Sequence, residues 1–200
     1  MIEETKSNWQ CVADMIKQKT PVVFSEKNKE IFFQKPLALL HLLSYYKFAA
    51  KMIGRQREVL LINCNEGISA YLLSQTCKKV HGISLTEEEL FLAQSNFQAP
   101  NLQYSLLKDT TFNPNSYDAI VYFLKEEKLS SLLFEKILLS LQQYGILCIG
   151  FPPQYEGLLE KIKTSFSHLF FFSCFNEIVQ ITTEENSIDA YQIILACKKR

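Results

Sequence analysis

The residues best placed to do chemistry in this chain stand where short apolar runs end. Asn63-Cys64-Asn65-Glu66-Gly67 follows Val59-Leu60-Leu61-Ile62, and Ser84-Leu85-Thr86 follows Val80-His81-Gly82-Ile83. Lys108-Asp109-Thr110 follows 102–106, and Leu124 ends the run 117–124. If the runs are strands of a parallel sheet, these four stretches form its carboxyl edge, where such sheets hold ligands at the switch point in strand order. Gly67 would let the backbone approach a ligand with positive φ, and asparagine tolerates the left-handed region better than most residues. Other chemistries find less support. The six cysteines, at 11, 64, 77, 148, 174 and 197, include no Cys-x-x-Cys pair, and His41, His81 and His168 are far apart. No metal site is expected, and no side chain is assigned as catalytic.

The elements that must position these residues can be read from periodicity. Trp9, Val12, Met15 and Ile16 follow helical spacing up to Pro21, and a second helix is expected over 36–53, opening on Pro36 and closing at Gly54. From residue 58 onward, short apolar runs alternate with helical stretches. Strands are expected over 59–62, 80–83, 102–106, 117–124 and 146–151, with helices over about 66–76, 87–97, 128–143 and 155–166. Thr86 would cap the second of these helices, whose first turn is acidic. Two last strands, 169–175 and 191–197, have no helix between them and are expected to pair as a hairpin. The pattern implies an α/β fold: a mainly parallel seven-stranded sheet with helices on both faces, an antiparallel terminal hairpin strand and a helical N-terminal extension. One domain over 1–200 is expected, with a helical cap at 1–55 and a Rossmann-like core at 56–200.

Taken in order, these motifs resemble those of class I S-adenosylmethionine-dependent methyltransferases. Residues 59–67 are similar to the family's first motif, commonly Val-Leu-Asp-Leu-Gly-Cys-Gly-Glu-Gly. Residues 80–88 are similar to the second, in which an acid normally ends the strand. Lys108-Asp109 with Phe112-Asn113-Pro114 and 116–121 resembles the adenine-contacting loop and fourth strand, and Tyr144-Gly145 the turn before the fifth. The resemblance implies a cofactor site formed by Asn63, Asn65, Glu66, Gly67, Ser84, Leu85, Asp109 and Thr110, with S-adenosylmethionine as cofactor. Tyr45, Tyr46 and Lys47 precede the first motif, where they would lie over the cofactor's methionine end, the alternative being an aromatic helix packed on the sheet. The sequence departs from the pattern at defined positions. Leu61 stands where the first-motif acid is usual, Asn63 and Asn65 replace turn glycines, Ser84 replaces the ribose-binding acid, and Leu124 replaces the acid that often follows the fourth strand. Two lost charged acceptors are together worth about 3–6 kcal/mol, against about 8 kcal/mol for a micromolar ligand. Glu87, one turn into the next helix, is the available substitute acceptor.

Two functions follow from the resemblance: methyl transfer to a small-molecule or protein acceptor, or a non-catalytic methyltransferase-like binding or regulatory subunit. A dehydrogenase is disfavoured, because the first turn lacks Gly-x-Gly-x-x-Gly and no acid ends the second strand. Lysine plus arginine and aspartate plus glutamate both total 21, so no basic footprint for nucleic acid exists, and Lys198-Lys199-Arg200 reads as a solvated end. The sequence contains no run apolar enough to span a membrane and opens without a secretory pattern. A cytoplasmic protein is expected. Asp118, in a Tyr-Asp pair of the kind that usually faces solvent, is expected to be structural, and Cys64 to be a small buried hydrophobe. Phe170, Phe171, Phe172 and Phe175 are expected to pack in the core, the alternative being a surface for a protein partner or homodimer.

Overall fold

The structure, a computed structural model, describes residues 23–34, 36–124, 129–152, 156–175, 178–183 and 191–198. The helix expected around Trp9, Val12, Met15 and Ile16, with Pro21, lies outside these residues, as do Lys199 and Arg200. In chain order the elements begin with α1 (Glu26–Gln34), α2 (Pro36–Ile53), β1 (Glu58–Ile62), α3 (Ile68–Ser74) and β2 (Lys79–Ser84). Next come α4 (Glu87–Asn96), β3 (Leu102–Leu106), a 3-10 turn at Leu107–Asp109, β4 (Tyr117–Phe123) and α5 (Ser131–Ser140). The chain continues through β5 (Leu141–Phe151), α6 (Glu156–Ser165), β6 (Phe166–Phe175), β7 (Ile178–Thr182) and β8 (Tyr191–Lys198).

All eight strands join one sheet in the order β3-β2-β1-β4-β5-β8-β6-β7. β1 to β5 run parallel, and β8 is antiparallel to both β5 and β6. Strand order therefore reverses between β1 and β4, which makes their carboxyl ends the switch point. The expected seven strands are corrected to eight: β7 pairs antiparallel with β6 and ends the sheet. Its five residues are too few for periodicity to separate them from a connecting loop. The expected pairing of β6 with β8 is present. β5 starts at Leu141, five residues before its expected start, so Tyr144-Gly145 lies inside the strand. The departure is local: Tyr144 has φ 60°, and register with β4 shifts between Tyr117 and Ala119. The preceding helix is correspondingly shorter than expected.

Two apolar layers hold the sheet. On one face, Tyr46, Ala49, Ala50 and Ile53 of α2 pack with Ala70 and Leu73 of α3 against Val59, Leu61, Val121 and Phe123. On the other, Phe134 and Ile137 of α5 and Leu158 and Ile162 of α6 cover Leu60, Ile62, Ile120 and Ile149. Phe172 is buried and packs edge-on to Phe48, Phe171 is partly buried, and Phe170 is 50% exposed. Asp118 stands near the start of β4. It is half-buried, and its Oδ2 accepts the Glu58 amide at 2.8 Å, tying the start of β1 to β4. Lys198 is not free in solvent: its ammonium donates to the Leu138 and Leu141 carbonyls at the end of α5, each at 2.5 Å. A cation there satisfies helix-end acceptors and complements the dipole. No helix among the described residues is long and apolar enough to cross a membrane.

Candidate functional site

The loop after β1 forms the left-handed turn its residue types permit, with Asn63 at φ 60°, Asn65 at 50° and Gly67 at 94°. The Cys64 amide donates to Ile83 O at 2.8 Å, and the Asn65 side-chain amide donates to Asn63 O at 3.1 Å. The loop is thus folded back on itself and onto β2. At Gly67 the missing side chain makes room for protein. A Cβ there would stand 2.8 Å from Ala93 Cβ and 2.9 Å from the Tyr104 hydroxyl, so glycine is required by close packing on α4.

Ser84, at the position of the ribose-binding acid, has no solvent exposure. Its hydroxyl donates to Asn65 O at 3.1 Å and lies 3.3 Å from Cys64 Sγ. The Cys64 thiol also donates to Asn65 O, at 3.8 Å. Burial pushes the Cys64 thiol up to about 12, so it stays protonated, as expected of a small buried hydrophobe. The Leu85 and Thr86 amides donate to Glu89 Oε2 at 3.1 and 3.2 Å, while Thr86 accepts from the Glu89 amide, forming a complete capping box. Glu87, the substitute acceptor, is paired with Lys108 at 2.6 Å on the surface.

Glu66 is 3% exposed, and its carboxylate accepts both the backbone N–H and the hydroxyl of Ser25. Ser25 also accepts from the Asn28 amide at 3.4 Å, in the N-cap position of α1. Just before it, Val23 exchanges two backbone hydrogen bonds with the Asn96 side chain, at 3.1 and 2.7 Å. Glu66 and Asn96 together pin the start of α1 over the loop. Ser25 was legible as a cap from its type and the acidic residue after it; Asn96 carried no comparable signal. The cavity left beneath, between Phe24, Leu43, Tyr46, Cys64 and Glu66, has a volume of about 30 Å³.

The third loop is engaged in a different network. Thr110 donates its hydroxyl to Leu106 O at 2.6 Å, so Ser105, 2.7 Å away, must donate to Thr110. Ser105 then accepts from His81 Nε2 at 2.7 Å, leaving Nδ1 to accept from the Tyr117 hydroxyl at 2.7 Å. The chain of donors runs Tyr117, His81, Ser105, Thr110, and it fixes the imidazole as a neutral Nε2–H tautomer. Burial, reinforced by Lys79, lowers the His81 pKa in agreement. Asp109 is exposed, as is Leu85 at 41%.

At the end of β4, Leu124 is fully buried and its carbonyl accepts the Tyr191 hydroxyl at 2.9 Å. Tyr45 stacks on Tyr191 with centroids 5.1 Å apart, and Tyr46 meets Phe123 edge-on at 4.9 Å. Tyr46 is 1% exposed. Of the two readings of this pair, the contacts are those of packing on the sheet: Tyr45 and Tyr46 belong to an aromatic cluster between α2, β4 and β8. Leu61 lies in the core beneath it with no exposure.

The structure thus brings Asn63, Asn65, Glu66, Gly67, Ser84 and Leu85 together, and it commits them to one another, to α1 and to α4. These residues do not fit an adenosyl group held in the manner of the resemblance. No carboxylate stands at the ribose position, where Ser84 is buried and hydrogen-bonded to Asn65 O. Among the described residues no group of three metal-type side chains gathers.

The fold is that of S-adenosylmethionine-dependent methyltransferases. The chain is similar to the tRNA methyltransferase TrmI from Aquifex aeolicus, with a TM-score of 0.60 and 19% identity over 78% of this chain and 69% of that one. A SAM-dependent methyltransferase from Thermotoga maritima superposes with a TM-score of 0.61 and 14% identity, over 86% of this chain and 97% of that one. A chain of the complex between the Haloferax volcanii Trm112 methyltransferase activator and a methyltransferase matches with a TM-score of 0.61 and 10% identity, over 89% of this chain and all of that one. No protein-family model matches the sequence, and no curated protein matches it.

Proposed function

We propose that this chain is a non-catalytic methyltransferase-like protein that works as a binding or regulatory subunit. The observation that carries the reading is Ser84. Where the fold's ribose anchor would stand, its buried hydroxyl closes the loop against β2. A carbonyl and a thiol, both already hydrogen-bonded, offer an adenosyl ligand little in exchange for the desolvation that binding would demand. A protein partner is the reading's natural ligand class, and the Haloferax complex supports it, since that assembly unites an activator with a methyltransferase. The protein is expected to act in the cytoplasm, in keeping with free cysteines at 64, 77, 148, 174 and 197.

Methyl transfer to a small-molecule or protein acceptor is the second reading, favoured by the exposed Asp109 carboxylate at the adenine position. Thermal unfolding with millimolar S-adenosylmethionine or S-adenosylhomocysteine separates the two. A ligand at a hundred times its dissociation constant stabilises by about 2.7 kcal/mol, which for a chain of this size raises Tm by about 5–10 °C. The expected result is no shift with either compound. A shift of that size would restore the enzymatic reading.

A further inference from the structure

We infer that the amino end of the sheet carries a site for a small oxyanion, seated on Lys79 and Gln103 and bound together with a proton that His81 takes up. The site lies at the end of the sheet opposite Ser84 and Glu66 and does not depend on what the carboxyl edge binds. Its origin is the crossover from β3 to β4, residues 107–116, whose only regular element is a 3-10 turn. On that face of the sheet α5 and α6 cover Leu60, Ile62, Ile120 and Ile149. Beside them, at the strand starts, opens a cavity of about 180 Å³ walled by Glu58, Lys79, His81, Gln103, Ser116 and Tyr117, with no helix contributing a wall. Register gathers these side chains, with Glu58 opposite Lys79 and His81 opposite Gln103.

Charge selects the ligand. This end of the sheet carries Arg57, Lys78 and Lys79 against Glu58 and Asp118. Glu58 is bonded to Lys78 at 2.9 Å, and Asp118 lies 4.0 Å from Arg57. Lys79 is the surplus cation: it is exposed and, among the described residues, makes no ion pair or hydrogen bond. Gln103, exposed beside His81, adds amide donors. A further donor comes from the His81 network. Tyr117 gives its proton to His81 Nδ1, while Nε2–H donates to Ser105. Once Nδ1 takes a proton from solvent it donates to the Tyr117 oxygen instead, and the phenol proton turns to the cavity and the anion. The phenol keeps that proton, since burial first and Glu58 second raise its pKa. The groups facing the imidazole are Glu58 from β1, Lys79 from its own strand, Tyr117 from β4, and the uncharged Gln103 and Ser105 from β3. In the crossover, Lys108 is bonded to Glu87 and Asp109 is exposed. Burial and Lys79 together lower the His81 pKa. An anion on Lys79 cancels the second cause, so anion and proton each favour the other.

Proton NMR of the full chain follows His81 directly, with His81→Gln identifying its signal among the three histidines. Sulfate is the probe, because it does not titrate near neutral pH. Sodium chloride at equal ionic strength is the reference, because screening alone also relieves repulsion by Lys79. Sulfate should raise the His81 titration midpoint saturably, by about one pH unit, which corresponds to about tenfold tighter binding to the protonated protein. The backbone amide signals of Lys79 and Gln103 should saturate at the same concentration. Lys79→Gln, at an exposed position, should abolish the sulfate effect, and Lys51→Gln, exposed on α2, should retain it. A midpoint that moves equally in sulfate and chloride overturns the proposal, as does a sulfate effect that persists in Lys79→Gln. Saturable amide shifts with an unchanged midpoint overturn the coupling to the proton. Circular dichroism melts of each variant confirm that it is folded.

Discussion

Replacing Ser84 with aspartate puts back the residue type that the resemblance expects and asks whether the cleft can use it. Position 84 has no exposure, and the hydroxyl contacts only Asn65 O at 3.1 Å and Cys64 Sγ at 3.3 Å. A carboxylate there meets a carbonyl oxygen, which repels it, and a thiol, which is a weak donor. No cation is in contact. An uncompensated buried charge costs about 3–5 kcal/mol, a large share of the roughly 5–15 kcal/mol that stabilises a native protein. The penalty has a defined pH dependence. Burial raises the carboxyl pKa of the folded variant above its unfolded value of about 3.9, so the folded state binds the extra proton. S84D should therefore be nearest the parent chain below about pH 4 and fall behind as pH rises towards the folded pKa. Urea unfolding at neutral and acidic pH measures both, and S84A, which loses only a hydrogen bond, should cost about 1 kcal/mol. If S84D stays within about 1 kcal/mol of the parent at neutral pH and its Tm rises with S-adenosylmethionine, residue 84 faces an open ligand site and the argument for a closed cleft fails.

Two further outcomes follow from the same contacts. Ser25→Ala removes a donor to the buried Glu66 carboxylate and the cap of α1; the first is worth about 1.5–3 kcal/mol and the second about 1. Hydrogen exchange should show α1 losing protection while β1 and β4 keep theirs, and unchanged protection in α1 would show that Glu66 does not anchor it. His81 has a pKa lowered from the model-compound value of 6.5, by burial first and Lys79 second. The folded state then binds fewer protons than the unfolded chain, so stability is full above about pH 6.5 and falls as pH drops from there towards the folded pKa. Denaturation between neutral and mildly acidic pH should show that loss, and His81→Gln should flatten it. An equal slope in both proteins would place the pH dependence elsewhere.

The layered α/β architecture was legible because it rests on periodicity. Val59–Ile62 and the run from Tyr117 are continuous apolar segments, as strands buried on both faces must be. Thr86 with Glu89 states a helix start in two residues. Asn63 and Asn65 announced a left-handed turn, and the chain adopts one. The order of motifs identified the fold, and Leu61 and Ser84 flagged the cradle as altered. What those two positions became instead was decided by partners distant in sequence. Ser84 acts on a loop 19 residues earlier, Gly67 yields its space to Ala93, and Glu66 is claimed by Ser25. Tyr191 reaches Leu124 across 67 residues, and β7 acquires its edge only through pairing with β6. Local patterns specify which backbone forms; burial and hydrogen bonding between remote segments decide whether a polar side chain is offered to a ligand or spent inside the protein.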